Sequence, residues 1–327
     1  MTGPGPTPRT LPWRTANHEC ASAAAELTLL RTSLLHRLDL YLDDAEERHL
    51  THTVQRINAL LFLYATVRRA PHDTRLGVLL GAVTHLLDHA YDRRAASARQ
   101  LDALEEVVLG TRRPDPDDPW ESVLGELAAR CWQSVADPAA IRAHLERMIT
   151  TQRRSQAQTQ APDLPSAALA ELTRDKGHHS VCLYFAAVNP AFGAEEERAL
   201  RSFGSYLQYM DDLEDRLEDR ADGRVSLVGP LPAALAEAGH RFAVARRDLT
   251  AFYGRGPGHR HRTLLAWLVL FHAGVVVGAV FEHATRALPA PVPGLLRRGR
   301  TALATRFPFF EVAPLGATLP SGGPDDH

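Results

Sequence analysis

The sequence predicts an all-α protein, and three observations carry that expectation. Runs rich in Ala, Leu, Arg and Glu recur along the chain with apolar residues at three- and four-residue spacing, the period of a helix face. No stretch alternates apolar and polar residues with the period of two that a half-buried strand requires. The prolines fall between the periodic runs, where they act as punctuation, since a proline inside a helix costs ~3 kcal/mol.

The elements follow from that punctuation. A first helix is predicted over 17–38. The second, over 43–68, opens on Asp43, Asp44, Glu46 and Glu47, acids that a helix N-terminus favours. Pro71 separates it from a helix over 74–94, which is followed by one over 97–109. Pro114, Pro116 and Pro119 alternate with Asp115, Asp117 and Asp118 in a turn that leads into 119–136. Pro138 starts 138–160, and Pro162 and Pro165 precede 166–188. Pro190 separates that helix from 194–220, and Pro230 and Pro232 open 232–253. Pro257 precedes 261–286, and Pro289 stands before a last helix over 293–306. So many helices exceed a four-helix bundle and suggest a larger one around a cavity or crowded core. Residues 17–310 are expected to form one domain, flanked by Pro- and Gly-rich tails, 1–16 and 311–327, that read as disordered.

Composition narrows the function classes. The 327 residues carry 37 basic and 39 acidic side chains, a formal charge of −2, which argues against a dedicated nucleic-acid binder. At 45% apolar and 23% charged, the chain is an ordinary soluble composition. Cys20, Cys131 and Cys182 lie far apart without a CxxC pair, which excludes a disulfide scaffold and argues against a zinc ribbon. The first residues contain no apolar core of a signal peptide, so a cytoplasmic location is expected. The 18-residue stretch 264–281 has only His272 as a polar member, close to the ~20 apolar residues of a membrane span. The expectation is a central helix buried on all sides, with membrane contact as the alternative. Lys176 is the only lysine; every other basic residue is arginine.

The strongest local signal is acidic. Seven of the twelve positions from Asp211 to Asp222 are Asp or Glu. Asp211, Asp215 and Asp219 are spaced i, i+4, i+8, so their carboxylates stack along one helix face. Like charges at that spacing repel by ~0.2–0.5 kcal/mol per pair. Such a row is tolerated on a solvated face, where Arg216 and Arg220 can pair with it, or where a cation binds it. Upstream, Phe203, Tyr206, Leu207, Tyr209 and Met210 are apolar or aromatic, which places the acids at the mouth of a core. Aligned oxygen ligands there suit Mg²⁺, which takes one or two carboxylates plus substrate phosphates. A second pair, Asp88 and Asp92, ends another apolar run, LGVLLGAVTHLL. Two such helices facing each other could hold Mg²⁺ ions between them and so bind a diphosphate.

These motifs resemble those of the class I isoprenoid synthases, an all-α superfamily. The stretch Gly204-x-x-x-Gln208-x-x-Asp211-Asp212-x-x-Asp215 looks like the second aspartate-rich motif of trans-prenyl diphosphate synthases. The Asp211, Asp215, Asp219 row resembles the second metal motif of terpene synthases. LDHAYDRR (87–94) is similar to the LDxxxDR first motif of bacterial large-terpene synthases of the tetraprenyl-β-curcumene synthase type, and DLEDRLEDRADGRVSL (212–227) to their second. The order and separation of the motifs match the superfamily over roughly residues 50–285. The first motif departs from the chain-elongating pattern: His89 stands where DDxxD has its second Asp. The aromatic and glycine signatures of squalene and phytoene synthases are not evident between the motifs.

The resemblance implies a helical bundle with a central cavity and a cluster of three Mg²⁺ ions on Asp88, Asp92, Asp211, Asp212, Asp215 and Asp219. It also implies a small-molecule prenyl diphosphate as substrate, with a homodimer as a common assembly in related folds. Mg²⁺ would bind the diphosphate as Lewis acid and charge template, and ionisation would leave a carbocation in a dry apolar cavity. Arg174, Lys176 and Arg93 are the candidate cations for the departing diphosphate. Tyr184, Phe185, Phe203, Tyr206, Trp267 and Phe271 are candidate cavity aromatics, able to hold a cation by their ring faces. The implied activity is that of a terpene synthase, a carbon–oxygen lyase releasing a hydrocarbon or alcohol. Gln208 and the full Asp211-Asp212-x-x-Asp215 set favour a chain-joining prenyltransferase instead, and His89 disfavours it. A non-catalytic helical interaction protein is the alternative from another class. His178, His179 and Cys182 form a weaker metal candidate, because neighbouring histidines point apart on a helix. GHRHR (258–262) reads as a solvated loop.

Overall fold

The computed structural model describes residues 12–92, 96–156, 164–221, 223, 225–255 and 260–286. Among the described residues there is no strand; ten α-helices account for most of the chain. They are α1 (Pro12–Ser33), α2 (Asp44–Arg68), α3 (Thr74–Asp92), α4 (Ala98–Leu109), α5 (Pro119–Ser134), α6 (Pro138–Ser155), α7 (Ser166–Val188), α8 (Ala194–Ala221), α9 (Leu231–Tyr253) and α10 (His261–Arg286). The helix predicted over 293–306 and the segment 311–327 lie outside the described residues.

The punctuation works through helix caps. Asp118 accepts from the backbone N–H groups of Trp120 and Glu121, with Pro119 in the first turn of α5. Asp137 does the same for Ala139 and Ala140 ahead of α6, and Pro138 again follows the cap. Proline suits that position because its missing N–H would have no helical partner there. Ser97 and Gln100 form a reciprocal capping box at α4, which ends on Gly110 at φ 75°.

The first helix departs from expectation at both ends. It starts at Pro12, inside the segment expected to be disordered, and stops at Ser33. A short 3₁₀ turn, Leu35–Leu38, follows and buries both of its leucines. Leu34, just ahead of the turn, is buried with them.

Two apolar clusters fill the bundle. One gathers side chains of α1–α7 around Leu86, Leu124, Leu127 and Trp120. The other gathers side chains of α1, α2 and α7–α10 around Tyr64, Phe185, Phe203, Tyr206 and Tyr209. Tyr184 and Phe192 touch both, so they form one connected core.

Helices α7 and α8 cross in backbone contact. A Cβ on Gly177 would stand 2.0 Å from the Gly204 carbonyl oxygen, and one on Gly204 would stand 2.3 Å from that of Gly177. Only glycine fits at both positions. The crossing places Lys176, beside Gly177, close to Gln208, one turn beyond Gly204.

The apolar helix α10 does not have the environment expected of it. It is long and apolar enough to cross a membrane by length and composition, yet only 33% of its apolar window is buried. One side, carrying Leu264, Trp267, Leu268, Phe271 and Val275, joins the core, while Val269, Leu270, Val277 and Val280 are exposed. The helix lies against α8 and α9 at the edge of the bundle, so it buries a face and not its circumference.

Candidate functional site

A cavity of about 220 Å³ lies between α2, α3, α6, α7, α8 and α10. Its polar wall is built by Asp88 of α3, Lys176 of α7, and Gln208 and Asp211 of α8. Its apolar wall includes Ile57, Leu60, Met148, Val181, Trp267 and Phe271. The two aspartate-bearing helices thus contribute one carboxylate each to the same space.

Asp88 and Lys176 form an ion pair at 3.7 Å. Gln208 bridges the two aspartates that follow it, with its amide N–H₂ donating to Asp211 Oδ2 at 3.2 Å and Asp212 Oδ1 at 3.0 Å. One amide therefore holds two like charges side by side. Asp211 is exposed and lines the cavity. Asp212 turns towards α7, where Thr173 donates to it at 3.3 Å. Burial pushes the Asp212 acid up to about 6, and Asp211 adds to the rise; Gln208, Lys176 and Thr173 oppose it.

Tyr184 closes the wall between the aspartate helices. Its hydroxyl shares a hydrogen bond with Thr84 Oγ1 at 3.1 Å. Burial pushes its phenol up to about 12, with Asp88 and Asp211 both adding to the rise, so it stays neutral. Trp267 and Phe271 stack at 5.1 Å and 6° on the opposite side.

Seven of the residues singled out from the sequence meet at this cavity: Asp88, Lys176, Tyr184, Gln208, Asp211, Trp267 and Phe271. Others do not. Phe185 stacks on Tyr64 at 3.7 Å inside the core, and Phe203 packs behind Phe185. Tyr206 is fully buried behind Phe271, with its hydroxyl 3.3 Å from His272 Nδ1. These three support the wall without lining it. Consecutive helix residues point about 100° apart, and here Tyr184 lines the cavity while Phe185 turns into the core. Arg174 is exposed, 4.0 Å from Asp175, and is not part of the cavity wall. Asp215 is partly buried and does not line the cavity either. Arg93 and the side chains of Asp92 and Asp219 lie outside the described residues.

Position 89 faces away from the cavity. His89 stacks on the buried Trp120 at 5.5 Å and 3°, and its Nε2 stands 3.7 Å from Glu46. His178 is buried, its Nε2 3.5 Å from Glu197 without hydrogen-bond geometry. Burial lowers its pKa to about 4. Among the described residues, no three His, Cys, Asp or Glu side chains group closely enough to hold a metal ion by themselves. This applies to His178, His179 and Cys182 as well as to the cavity acids.

Sequence reasoning missed the contribution of α2. Arg56 lines the cavity and forms a two-pronged ion pair with Glu214 of α8, Nη1 to Oε2 at 2.9 Å and Nη2 to Oε1 at 3.0 Å. Its guanidinium also sits 5.8 Å from the centre of the Phe271 ring. The signal was a lone arginine directly ahead of the apolar run INALLFLY. His49 of α2 and His85 of α3, also missed, stack at 5.0 Å and both line the cavity.

The fold and site together define an all-helical bundle with an amphiphilic cavity: a polar wall of paired acids and a lysine beside an aromatic and aliphatic wall. No family model matches the chain. No curated protein matches it in sequence either.

Proposed function

We propose that this chain is a Mg²⁺-dependent class I terpene synthase, which ionises a linear prenyl diphosphate to give a hydrocarbon or alcohol and diphosphate. One observation carries the reading. Asp88 and Asp211, from two aspartate-bearing helices far apart in sequence, line one cavity with the sole lysine and an apolar wall. An amphiphilic substrate with an anionic head and a hydrocarbon tail matches that division.

The donor set suits a hard cation. Asp88 and Asp211 are oxygen ligands, and Mg²⁺ needs only one or two carboxylates when phosphate oxygens complete its shell. When bound, Mg²⁺ would supply Lewis-acid charge to the leaving diphosphate. The chain's own residues do the rest. Lys176 offers an ammonium group to the diphosphate as the C–O bond breaks and its electron pair passes to oxygen. Gln208 orients Asp211 and Asp212. Trp267 and Phe271 present ring faces to the allylic cation, and the apolar wall keeps water from it. Loss of a proton to the released diphosphate then gives the hydrocarbon, or capture of one water molecule followed by loss of a proton to the diphosphate gives the alcohol.

The test is product analysis. Purified protein with Mg²⁺ is incubated with C10, C15, C20 and C25 allylic diphosphates, with and without isopentenyl diphosphate. The expected outcome is a hydrocarbon or alcohol from one allylic substrate alone, with kcat reduced about 10²–10³-fold in Asp211→Asn. A longer diphosphate formed only with isopentenyl diphosphate would instead assign a chain-joining transferase. No turnover of any substrate would remove the enzymatic reading.

A further inference from the structure

The outer face of α10 is an apolar stripe. Ala266, Val269, Leu270, Ala273, Val277 and Val280 are all exposed, at the three- and four-residue spacing of one helix face. From Ala266 to Val280 the stripe runs about 21 Å at 1.5 Å per residue. A contiguous exposed apolar surface of this kind marks an interaction site.

We infer that this face is the docking site of the chain's own segment 293–310. The segment leaves from the end of α10 itself, through the proline-rich connector ALPAPVP (287–293). That connector breaks helix propagation and allows the chain to turn back. The residues beyond it carry the complementary pattern. Leu295, Leu296, Gly299, Ala302, Leu303 and Phe307 repeat at helix spacing, with Arg297, Arg298, Arg300 and Arg306 between them. Residues 293–306, as a helix, would be about 21 Å long, the length of the stripe. The match extends to size: the segment mixes small residues (Gly299, Ala302) with large ones (Leu303, Phe307), as the stripe mixes alanine with valine and leucine.

The consequence reaches the cavity. Trp267 and Phe271 stand on the inner side of the same helix, so a segment laid on the outer side braces the wall that carries them.

Cysteine cross-linking of the full-length chain tests the docking directly, because Cys20, Cys131 and Cys182 are buried and will not compete. Laid antiparallel along 266–280, the segment 293–306 brings position 302 opposite position 270. The double variant Leu270→Cys/Ala302→Cys, with Leu270 exposed on the stripe, should therefore form a cross-link within one chain under mild oxidation. The pair Leu40→Cys/Ala302→Cys, with Leu40 95% exposed, should not. A second measurement avoids engineered cysteines. Trypsin cleavage after Arg297, Arg298, Arg300 and Arg306 should be slow in the unmodified chain and at least tenfold faster in Val277→Glu. A cross-link between two chains in Val277→Cys alone would assign the face to a second copy. Flotation with phosphatidylcholine vesicles, lost in Val277→Glu, would assign it to a lipid surface. Either result, or equal cleavage rates in both proteins, overturns the proposal.

Discussion

Helix α8 carries two kinds of acid. Glu196, in its first turn, is 2% exposed and accepts hydrogen bonds from Tyr64 at 2.8 Å and Tyr253 at 2.7 Å, with Arg68 at 3.4 Å. Asp211, towards the other end, is exposed to the cavity and takes an amide from Gln208 of its own helix. The protein saturates the first acid and ties three helices together through it. The second keeps acceptor capacity facing a cavity, where only a ligand or water can use it. Two acids in one helix are thus separated by their surroundings into one that holds the fold and one that is available to chemistry.

The comparison is most exposed to failure at Glu196. Replacing it with alanine leaves two buried tyrosine hydroxyls and a guanidinium without their acceptor, and should cost about 3–5 kcal/mol. Asp211→Asn should change stability by no more than about 0.5 kcal/mol, as a substitution outside the packed core. Urea unfolding of both variants measures the contrast, and equal losses would erase it.

The next effect tests how the site is positioned. Gly177→Ala drives a methyl group into the Gly204 backbone and should destabilise by about 2–3 kcal/mol, because backbone cannot yield as a side chain can. Gly239→Ala, in α9 with nothing within 4 Å of its added carbon, should instead stabilise by about 0.5–1 kcal/mol. Thermal melts of the two variants sharpen the distinction between a glycine that permits a crossing and one that merely occupies a helix.

A smaller effect distinguishes Asp212 from Asp211. The folded-state pKa of Asp212 is raised from 3.8 to about 6, so the native state binds the proton more tightly than the unfolded chain. Stability from this group is therefore full below about 4 and declines as pH rises to about 6. Asp212→Asn should gain about 1 kcal/mol at pH 7.5, after allowance for its partial exposure, and almost nothing at pH 4. A gain independent of pH would contradict that origin.

These contrasts explain what was legible in the sequence. Helix positions could be read because Asp118-Pro119 and Asp137-Pro138 write their caps locally. Asp88 and Asp211 could be read because each stands where an apolar run meets polar residues, and Lys176 because it is the only lysine of the sequence. The cavity aromatics were only half legible: Tyr184 and Phe185 differ by one helix step, and rotation about the axis is fixed by the Gly177–Gly204 crossing. Gly177 inside a helix was a signal in itself, since it costs about 1 kcal/mol against alanine without a packing reason. Arg56 stayed hidden because its partner Glu214 lies in another helix and looks like one more member of an acidic row. The environment of α10 was misread because composition sets how apolar a helix is, and not how many neighbours surround it.

The most direct measurement is the melting temperature of the wild-type chain and Asp211→Asn with Mg²⁺, with pyrophosphate, and with both. A ligand that binds only the folded state adds about 2.7 kcal/mol at a hundred times its dissociation constant. A clear upward shift is expected for the wild type with both together, little with either alone, and none in Asp211→Asn. An unchanged melting temperature in the wild type, or the same shift in the variant, would contradict the assignment of the cavity acids to a metal-bound diphosphate.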